Sequence, residues 1–480
     1  MKRIGDFAAV WKKLGTQFLP FADAATEDLP LGRLLRLSLF QVTVGMAMVL
    51  LVGTLNRVMI VELGVSTTFV ACVVALPLIF APLRALIGFR SDNHRSYLGW
   101  KRVPYIWMGT MSQFGGLAIL PFALLILSGD TTGPAWIGEV AAGLAFLLVG
   151  AGLQTAQTAG LALATDLSTE AARPKVVALM HVMLLVGMAA ASFVFSFALK
   201  NFSELRLIQV IQGAAVTTMA LNLIALWKQE ARDPSRTRHA EVRPSFFETW
   251  RAFSANRNAK RFLVTVALGT AAFNMQDIVL EPYGGEILHL GVGETSALTA
   301  LLALGALAAF GLAARLLQRG TDACRIAAIG LIAGLPAFAA VGLAAPMDSP
   351  MLFRCGTLMI GFGGGLFAIG TLTAAMSLEK AGRTGLALGA WGAAQATSAG
   401  IAIAGGGALR DFITGLADNG VLGPAVVGPA AGYSAVYQSE LALLFMTLIA
   451  IGPLVRRPVS TAHATDPTTP NTYGMAQPLG

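Results

Sequence analysis

The stretch GFRSDNHRSYLGWKRVPYIW, residues 88–107, is a polar segment set between two long apolar runs. Its ionisable side chains are Arg90, Asp92, His94, Arg95, Lys101 and Arg102. The chain around it has 480 residues, of which 55% are hydrophobic and 12% charged. That charged fraction is about half that of a soluble domain. A charged connection between apolar runs is typical of a membrane protein whose helices are joined at the membrane surface.

Apolar runs of roughly twenty residues recur along the chain, and each is long enough to cross about 30 Å of hydrocarbon as a helix. We therefore predict about twelve spans. They lie near residues 37–60, 67–89, 104–127, 137–165, 176–199, 207–227, 262–282, 295–317, 325–345, 351–377, 385–409 and 436–455.

Lys and Arg concentrate in alternate connections, including the opening arm, residues 90–102 and the connection 228–261. Cytoplasmic loops of membrane proteins carry such an excess, so we expect both termini to be cytoplasmic. The basic cytoplasmic loops then account for the formal net charge of +8. Nucleic-acid binding is not expected, because the basic residues are spread over several loops and no reading module accompanies them.

The connection 228–261 divides the spans into two sets of six. We predict a cytoplasmic amphipathic arm, a six-helix bundle, a cytoplasmic linker with a short amphipathic helix, a second six-helix bundle and a disordered tail. Their limits are residues 1–33, 34–227, 228–261, 262–457 and 458–480.

The two halves share sequence. ELGVSTTFVACVVAL from Glu62 aligns with HLGVGETSALTALLAL from His289, and EAARPKVVALMH from Glu170 aligns with EKAGRTGLALGAW from Glu379. Two matches in the same order indicate parallel repeats of six spans. We therefore predict an all-α polytopic membrane protein with the major facilitator fold, and with a central cavity between the halves.

The polar segment fits this fold. Gly88, then Asp92, then the basic pair Lys101 and Arg102 resemble the facilitator loop signature between the second and third spans. Asp92 is expected to pair with a basic neighbour or a helix N-terminus. Lys101 and Arg102 are expected to face anionic headgroups. We assign these residues to gating and topology rather than to ligand binding.

Backbone breakers and glycine runs occur in the second half. EPYGGE at residues 281–286 predicts a break in the seventh span, because Pro282 removes a backbone donor. The glycine runs at 361–370 and 404–411 predict close helix packing, with room for a flat ligand as the alternative.

Three stretches carry a more specific resemblance. They are LRLSLFQVTVGMAMVLLVGTLNRVMIVELGV, ALIGFRSDNHRSYLGWKRVPYIWMG and NMQDIVLEPYGGEIL. The chain resembles the bacteriochlorophyll delivery branch of the major facilitator superfamily, the PucC and LhaA light-harvesting assembly factors of purple phototrophic bacteria. The resemblance extends from about Leu34 to Arg457.

The resemblance implies a protein of the bacterial inner (intracytoplasmic) membrane that binds bacteriochlorophyll a and delivers it to nascent antenna polypeptides. LH1 is favoured over LH2 as the antenna served. The implied partners are the antenna polypeptides and the reaction centre core, with bacteriochlorophyll synthase and the membrane insertion machinery as further ones. No nucleotide-binding loop, zinc motif or nucleophile arrangement occurs in the sequence, so we do not expect an enzyme.

Two other functions stay open. A proton-coupled exporter of a small amphiphile would use Asp277 and Glu281, one helical turn apart, as proton carriers. A structural antenna scaffold would need no cavity chemistry. Copurified pigment would separate the delivery function from the scaffold, and proton-driven flux in vesicles would support the exporter.

Two amides hold nearly the same place in the first and seventh spans. Asn56 closes the first, and Gln276 occupies the related position in the seventh. Polar residues inside a membrane usually mark a pathway or a ligand site. Asn56 and Gln276 are therefore predicted to contribute to a pigment site.

The residue after each amide is charged. Arg57 follows the first, Asp277 follows the second, and Glu281 comes one turn later. Because a lone charge in the membrane is costly, we predict that Arg57 pairs across the halves with Asp277 or Glu281 as part of a gate. In the alternative, Arg57 extends to the lipid headgroups.

His181 is the one histidine well inside an apolar span, about 9 Å beyond Lys175 along a helix. A neutral imidazole there could be the axial ligand of the bacteriochlorophyll magnesium. Trp391, its counterpart in the repeat, could stack on the macrocycle. The alternatives are a hydrogen bond from His181 to a neighbouring helix and an interfacial anchor at Trp391.

Overall fold

Helices that alternate in direction between two faces make up the part of this protein that the structure describes. The computed structural model describes residues 29–79, 100, 102–129, 134–169, 172–230, 257–377, 384–423 and 428–455. The secondary structure of these residues is helical throughout, in agreement with the predicted all-α class. Asp92, Lys101, the predicted amphipathic arm, most of the linker and the tail lie outside the described residues.

Six helices precede residue 231 and form what we call the N-terminal half. They are α1 (Leu31–Glu62), α2 (Thr67–Ile79), α3 (Val103–Leu127), α4 (Ala135–Asp166), α5 (Arg173–Ala198) and α6 (Glu204–Leu226). We call the face on which α1 begins the proximal face and the face on which it ends the distal face.

Six helices follow residue 256 and form the C-terminal half. The first of them, α7, consists of Arg257–Asn274, a 3-10 turn over Met275–Ile278 and a short helix over Leu280–Glu286. The others are α8 (Val292–Gln318), α9 (Ala323–Ala344), α10 (Pro350–Ser377), α11 (Thr384–Asp418) and α12 (Pro429–Ile451).

Ten of these helices are long and apolar enough to cross a membrane by length and composition. The exceptions are α2, of which 13 residues are described, and α11, a helix of 35 residues interrupted by glycine and polar side chains. Each of the twelve predicted spans nevertheless overlaps one helix of the described chain.

Capping side chains explain several helix ends. Ser203 accepts a hydrogen bond from the N–H of Arg206 at 3.3 Å where α6 begins, and Asp322 accepts one from the N–H of Arg325 at 3.2 Å where α9 begins. Both satisfy a backbone donor that has no partner within its helix. Helix α8 ends at Gln318, and Gly320 just beyond it has a φ of 79°, the left-handed conformation usual after a helix end.

Glycine contacts hold equivalent helix pairs together in the two halves. A Cβ on Gly109 of α3 would lie 2.6 Å from the carbonyl oxygen of Gly152 on α4. In the C-terminal half, a Cβ on Gly330 of α9 would lie 2.5 Å from the carbonyl oxygen of Gly363 on α10. Small residues allow helices to approach this closely. Close packing is therefore what the structure shows at this part of the 361–370 run.

The halves meet toward the distal face through two helix pairs, α2 with α11 and α5 with α8. A Cβ on Gly407 of α11 would lie 2.9 Å from the carbonyl oxygen of Thr67, at the start of α2. One on Gly293 of α8 would lie 2.6 Å from the carbonyl oxygen of Ser196, near the end of α5. These four helices begin at the segments that align between the halves, so the sequence repeat corresponds to a repeated contact.

Helices α1 and α7, which face each other between the halves, are irregular. Helix α1 contains π-helical turns at Val49–Leu55 and Val58–Glu62. The predicted break in the seventh span exists, but it falls at Met275–Ile278 rather than at residues 281–286. Pro282 lies in the first turn of Leu280–Glu286, where a backbone N–H has no helical partner in any case, so it is tolerated there.

Candidate functional site

A cavity of about 170 Å³ lies between the halves, midway along the helices. Its walls are mostly apolar and come from α1, α2, α4, α5, α7, α8 and α11. Helix α7 supplies four of the six polar residues that line it. These six are Gln154, Asn274, Gln276, Asp277, Glu281 and Thr299. The broken helix therefore determines the polarity of the cavity.

The size of the cavity limits what it can hold. Small-molecule pockets usually measure about 300–1,000 Å³, and a single water needs only about 10–15 Å³ of such space. In this conformation the cavity has room for several waters or a small group, but not for a tetrapyrrole macrocycle.

Asn56 joins α1 to the broken segment of α7. Its side-chain N–H groups donate to the carbonyl oxygens of Asp277 at 3.1 Å and Ile278 at 3.0 Å. The 3-10 turn interrupts the regular helix at this point, which makes these carbonyl oxygens available to a side chain. Asn56 is fully buried and is not among the residues that line the cavity. The structure thus gives Asn56 a role in holding the halves together.

Gln276 lines the cavity beside Asp277. Its amide donates to a carboxylate oxygen of Asp277, and its own Oε1 has no hydrogen-bond partner. Gln276 is 2% exposed. Of the two amides predicted to contribute to a ligand site, only Gln276 therefore lies where a cavity occupant could meet it.

The partner of Arg57 differs from the prediction. Arg57 forms an ion pair with Glu62 on its own helix, and Nη2 donates to the carbonyl oxygen of Leu290 at 3.2 Å. Residues five apart meet here because the turn between them is π-helical. The predicted ion pairs with Asp277 and Glu281 are not formed. The alternative of a side chain extending to headgroups is also wrong, because Arg57 is 4% exposed.

Glu281 lies at the contact between α1, α7 and α8. It is 3% exposed, and Oε1 accepts a hydrogen bond from the hydroxyl of Thr299 at 2.7 Å. Oε2 has no hydrogen-bond partner. The carboxyl group packs against Gly53 of α1, where a Cβ would lie 3.1 Å from the Glu281 Cδ.

Hydroxyl groups extend this contact toward α5. The hydroxyl of Ser296 on α8 lies 3.1 Å from that of Thr54 on α1, and Ser192 on α5 donates to the Ser296 carbonyl oxygen. One turn of α8 thus contacts two helices of the other half.

A second polar contact between the halves was not predicted. Asp411 of α11 accepts hydrogen bonds from both the backbone N–H and the hydroxyl of Thr68, each at 2.7 Å, and so caps α2 from the other half. Next to this contact, within the C-terminal half, Arg410 donates to Glu286 at 2.6 Å, and the Tyr433 hydroxyl donates to the same carboxylate at 2.6 Å. In the sequence, the only indication of this contact was the adjacent charged pair Arg410 and Asp411 in a helix rich in Ala and Gly.

Sequence reasoning also missed Glu440. It lies on α12, is fully buried, and neither carboxyl oxygen makes a well-formed hydrogen bond. The signal was present in the sequence, since Glu440 is the one acidic residue of the predicted span 436–455.

Of the predicted loop residues, the structure describes Arg102. Its Nε forms an ion pair with Asp166 at 3.0 Å, joining α3 to α4. Glu230 accepts hydrogen bonds from the backbone N–H groups of Arg102 and Val103, at 3.1 and 3.0 Å. Arg102 is 7% exposed, so the expectation that it faces lipid headgroups is wrong. Arg102 instead joins segments of the N-terminal half, since Asp166 and Glu230 both belong to that half.

His181 lies on α5 and is partly buried, with Nδ1 2.9 Å from the carbonyl oxygen of Val177. Met188 and Ser192 follow seven and eleven residues later, within about 20° of the same side of the helix. Met188 lines the cavity, and Ser192 contacts α8. His181 is therefore on the side of α5 that faces the other half, nearer to the proximal face than the cavity.

Trp391 is engaged within its own half. Its indole N–H donates to the hydroxyl of Thr371 at 3.2 Å, and the residue packs against the apolar cluster that includes Phe262 and Ala374. Neither Trp391 nor His181 is among the residues that line the cavity. In the part of the chain that the structure describes, no group of three or more His, Cys, Asp or Glu residues could hold a metal ion.

Comparisons with known proteins agree with this architecture. The family described as PUCC protein matches residues 54–459. Protein PucC of Cereibacter sphaeroides is 53% identical over 447 residues, which cover 92% of this chain and 96% of the relative. An uncharacterized protein in the puhA-bchM intergenic region of Rhodobacter capsulatus is 53% identical over 457 residues, covering 95% and 94%.

Among solved structures, a POT family transporter in complex with a thioalcohol-conjugated peptide superposes with a TM-score of 0.65. The superposition covers 91% of this chain and 100% of the transporter, at 13% sequence identity. At that identity the likeness concerns the fold alone, and it confirms the predicted major facilitator fold.

Proposed function

Because the chain belongs to the PucC family, which matches it from residue 54 to 459, we propose that it is a non-enzymatic assembly factor for the light-harvesting antenna of purple phototrophic bacteria. In this function it binds bacteriochlorophyll a and delivers it to nascent antenna polypeptides, with LH1 favoured over LH2. The family match is the observation that carries the proposal. It includes nearly all of the helices that surround the central cavity.

The proposal includes a place and partners. The protein acts in the inner (intracytoplasmic) membrane, with its proximal face and both termini on the cytoplasmic side. The excess of Lys and Arg in the proximal connections supports this orientation. The antenna polypeptides and the reaction centre core are the recipients, and bacteriochlorophyll synthase and the membrane insertion machinery are neighbours.

The pigment is cargo and is held outside the central cavity, which is too small for its macrocycle. His181 is the residue we assign to the magnesium, because its position on α5 is nearer to the proximal face and on the side facing the other half. The carbonyl oxygen of Val177 can only accept, so Nδ1 carries the hydrogen. In a neutral imidazole of this tautomer, Nε2 is the nitrogen that would bind a metal.

The other predicted pigment residues have narrower roles in this proposal. Trp391 presents a partly buried indole on α11, the helix that corresponds to α5 in the repeat, and remains the proposed stacking surface. Gln276 would contact a polar substituent of the pigment only in a conformation with a wider cavity. Asn56 would affect pigment binding indirectly, because it holds the broken segment of α7 by hydrogen bonds.

Replacing His181 by Leu tests the pigment assignment. The full chain is purified in mild detergent from pigment-making cells, and copurified bacteriochlorophyll is measured by absorbance. We expect His181→Leu to lower pigment content several-fold or shift its absorbance at unchanged protein level, because the axial nitrogen is lost. The matched control is His289→Asn at the distal face, where Asn tolerates the left-handed φ of 53°.

Two results would count against the proposal. Unchanged pigment and spectrum in His181→Leu would exclude His181 as the ligand. Wild-type protein free of bacteriochlorophyll would contradict the carrier function and leave the antenna scaffold.

One observation favours a second candidate, the proton-coupled exporter of a small amphiphile. Asp277 and Glu281 both line the central cavity, where a transported molecule would meet them. Flux of such a molecule into vesicles that depends on a proton gradient would support the exporter. Absence of flux in vesicles that retain pigment delivery would exclude it.

A further inference from the structure

The central cavity carries acidic groups to which the proposed pigment function gives no role. Asp277 and Glu281 both line it, and among the described lining residues there is no Lys, Arg or His to balance them. Arg57 of α1 is already bound to Glu62 and to the carbonyl oxygen of Leu290. A carboxylate removed from water without a counter-charge is costly. The cavity therefore favours an occupant that brings positive charge.

The unpartnered atoms of the lining residues indicate the same kind of occupant. Gln276 is 2% exposed, Glu281 3% and Gln154 8%, and each has one side-chain oxygen without a hydrogen-bond partner. The orientation of the Gln276 amide is fixed, because its N–H groups donate to Asp277 and to the carbonyl oxygen of Phe273. All three unpartnered atoms are acceptors. An occupant that satisfies them must donate hydrogen bonds.

Two other donor side chains of the described lining already have partners. The Thr299 hydroxyl donates to the second oxygen of Glu281 at 2.7 Å, and the Asn274 amide donates to the carbonyl oxygen of Thr270 at 2.8 Å. The unpartnered oxygens belong to both halves, since Gln154 lies on α4 and the other two lie on α7. A donor in the cavity would therefore be attracted to both halves.

The remaining walls of the cavity are apolar. They include the side chains of Met48, Leu51, Leu153, Met188 and Leu302. An inorganic cation would lose its hydration against such walls, whereas an organic ammonium ion buries its hydrocarbon part there. An apolar cavity of about 150 Å³ in another protein binds benzene. With about 170 Å³, this cavity has the size for one six-membered ring that carries an amino group.

We propose that the central cavity is a binding site for a small organic ammonium ion. Its N–H groups face the carboxyl groups of Asp277 and Glu281, and its hydrocarbon part packs against the apolar walls. A primary ammonium group has three N–H donors and no acceptor, which matches a lining whose unpartnered atoms are all acceptors. The site requires neither pigment, which the proposed function holds outside the cavity, nor transport across the membrane.

Equilibrium dialysis of the full chain in detergent tests the site. The probe is radiolabelled benzylammonium, and micelles without protein give the blank. Benzyl alcohol and benzoate have nearly the same shape but lack the positive charge. We expect saturable binding of benzylammonium and binding of the other two that is weaker by about ten-fold or more, because the lining offers acceptors and negative charge. Sodium at constant ionic strength should not compete with the probe.

Variants locate the bound probe. Asp277→Asn, which keeps the shape of the side chain, should weaken benzylammonium binding by about ten-fold or more, and Gln154→Leu in the other half should weaken it several-fold. The matched control is Glu294→Gln, which removes an exposed carboxylate paired with Arg354 and should leave binding unchanged.

Four results would overturn the proposal. They are no binding of benzylammonium to wild type, equal binding of benzyl alcohol, competition by sodium, and wild-type affinity in both Asp277→Asn and Gln154→Leu. Equal binding of benzyl alcohol would leave an apolar cavity alone, and competition by sodium would assign the site to an inorganic cation. Copurified bacteriochlorophyll is measured separately, so these failures are distinct from failure of the delivery function.

Discussion

The guanidinium group of Arg57 has partners of two kinds, Glu62 on its own helix and the carbonyl oxygen of Leu290 at the start of α8. The two members of the ion pair differ in exposure. The side chain of Arg57 is 5% exposed and that of Glu62 is 36% exposed. The two removals therefore differ, because loss of Glu62 leaves the buried Arg57 charge without its ion-pair partner, whereas loss of Arg57 leaves a partly exposed carboxylate.

We expect Glu62→Ala to be more damaging than Arg57→Met. The first leaves the buried Arg57 charge unpaired and should cost about 3–5 kcal/mol, whereas the second leaves a solvated carboxylate and should cost about 1–3 kcal/mol. The measurement is the midpoint of thermal unfolding in detergent. The double variant should resemble Arg57→Met alone, and full additivity of the two losses would contradict the pairing.

Residue patterns located some of these side chains but not their partners. Arg57, Asp277 and Glu281 are recognisable because charges inside apolar spans are rare. The pairing of Arg57 with Glu62 depends on a π-helical turn, which hydropathy does not reveal. Glu440 was missed because one acidic residue in a span forms no pattern.

At the scale of helices, α2 depends on the other half for its N-terminal cap. The first N–H groups of a helix have no partner within it, and Asp411 of α11 supplies one to Thr68. The cap also places a negative charge at the positive end of α2. Helix α2 therefore has this cap only while the halves are in contact at the distal face.

Loss of this cap should weaken α2 and the contact between the halves together. We expect Asp411→Ala to cost about 1 kcal/mol, the usual value for a lost cap. Combined with Thr68→Val, it should show a coupling of about 0.5–3 kcal/mol in a double-mutant cycle of unfolding. Asp418→Ala, at an exposed position near the end of the same helix, is the control. A cycle without coupling would show that Asp411 does not act through Thr68.

Helix positions were predictable from the sequence because the length of an apolar run defines a membrane span. The positions of irregular segments were not predictable in this way. The break of α7 was expected at Pro282 but lies at Met275–Ile278, because a proline in a first helical turn costs little. Helix α11 extends to Asp418, beyond the predicted limit of 409, because its last turns carry Asp411 into a polar contact with the other half and Arg410 into an ion pair with Glu286 of α7.

At the scale of the whole molecule, two repeated halves enclose a cavity whose polar groups come chiefly from α7. The repeat was visible in the sequence because it reproduces the segments that begin α2, α5, α8 and α11. The volume of the cavity was not predictable, since it depends on how closely glycines such as Gly53 and Gly407 let the halves approach. In our proposal the pigment is therefore held outside the cavity, nearer to the proximal face, where His181 lies.

Pigment transfer in a defined membrane is the direct test of the proposed delivery of bacteriochlorophyll to antenna polypeptides. The full chain loaded with bacteriochlorophyll a is mixed in lipid nanodiscs with pigment-free antenna polypeptides, and the absorbance of the pigment is followed with time. From the proposed delivery function we predict that the absorbance band of carrier-bound pigment falls while the red-shifted band of assembled antenna rises. An unchanged spectrum, with antenna polypeptides that assemble normally when given free pigment, would contradict it.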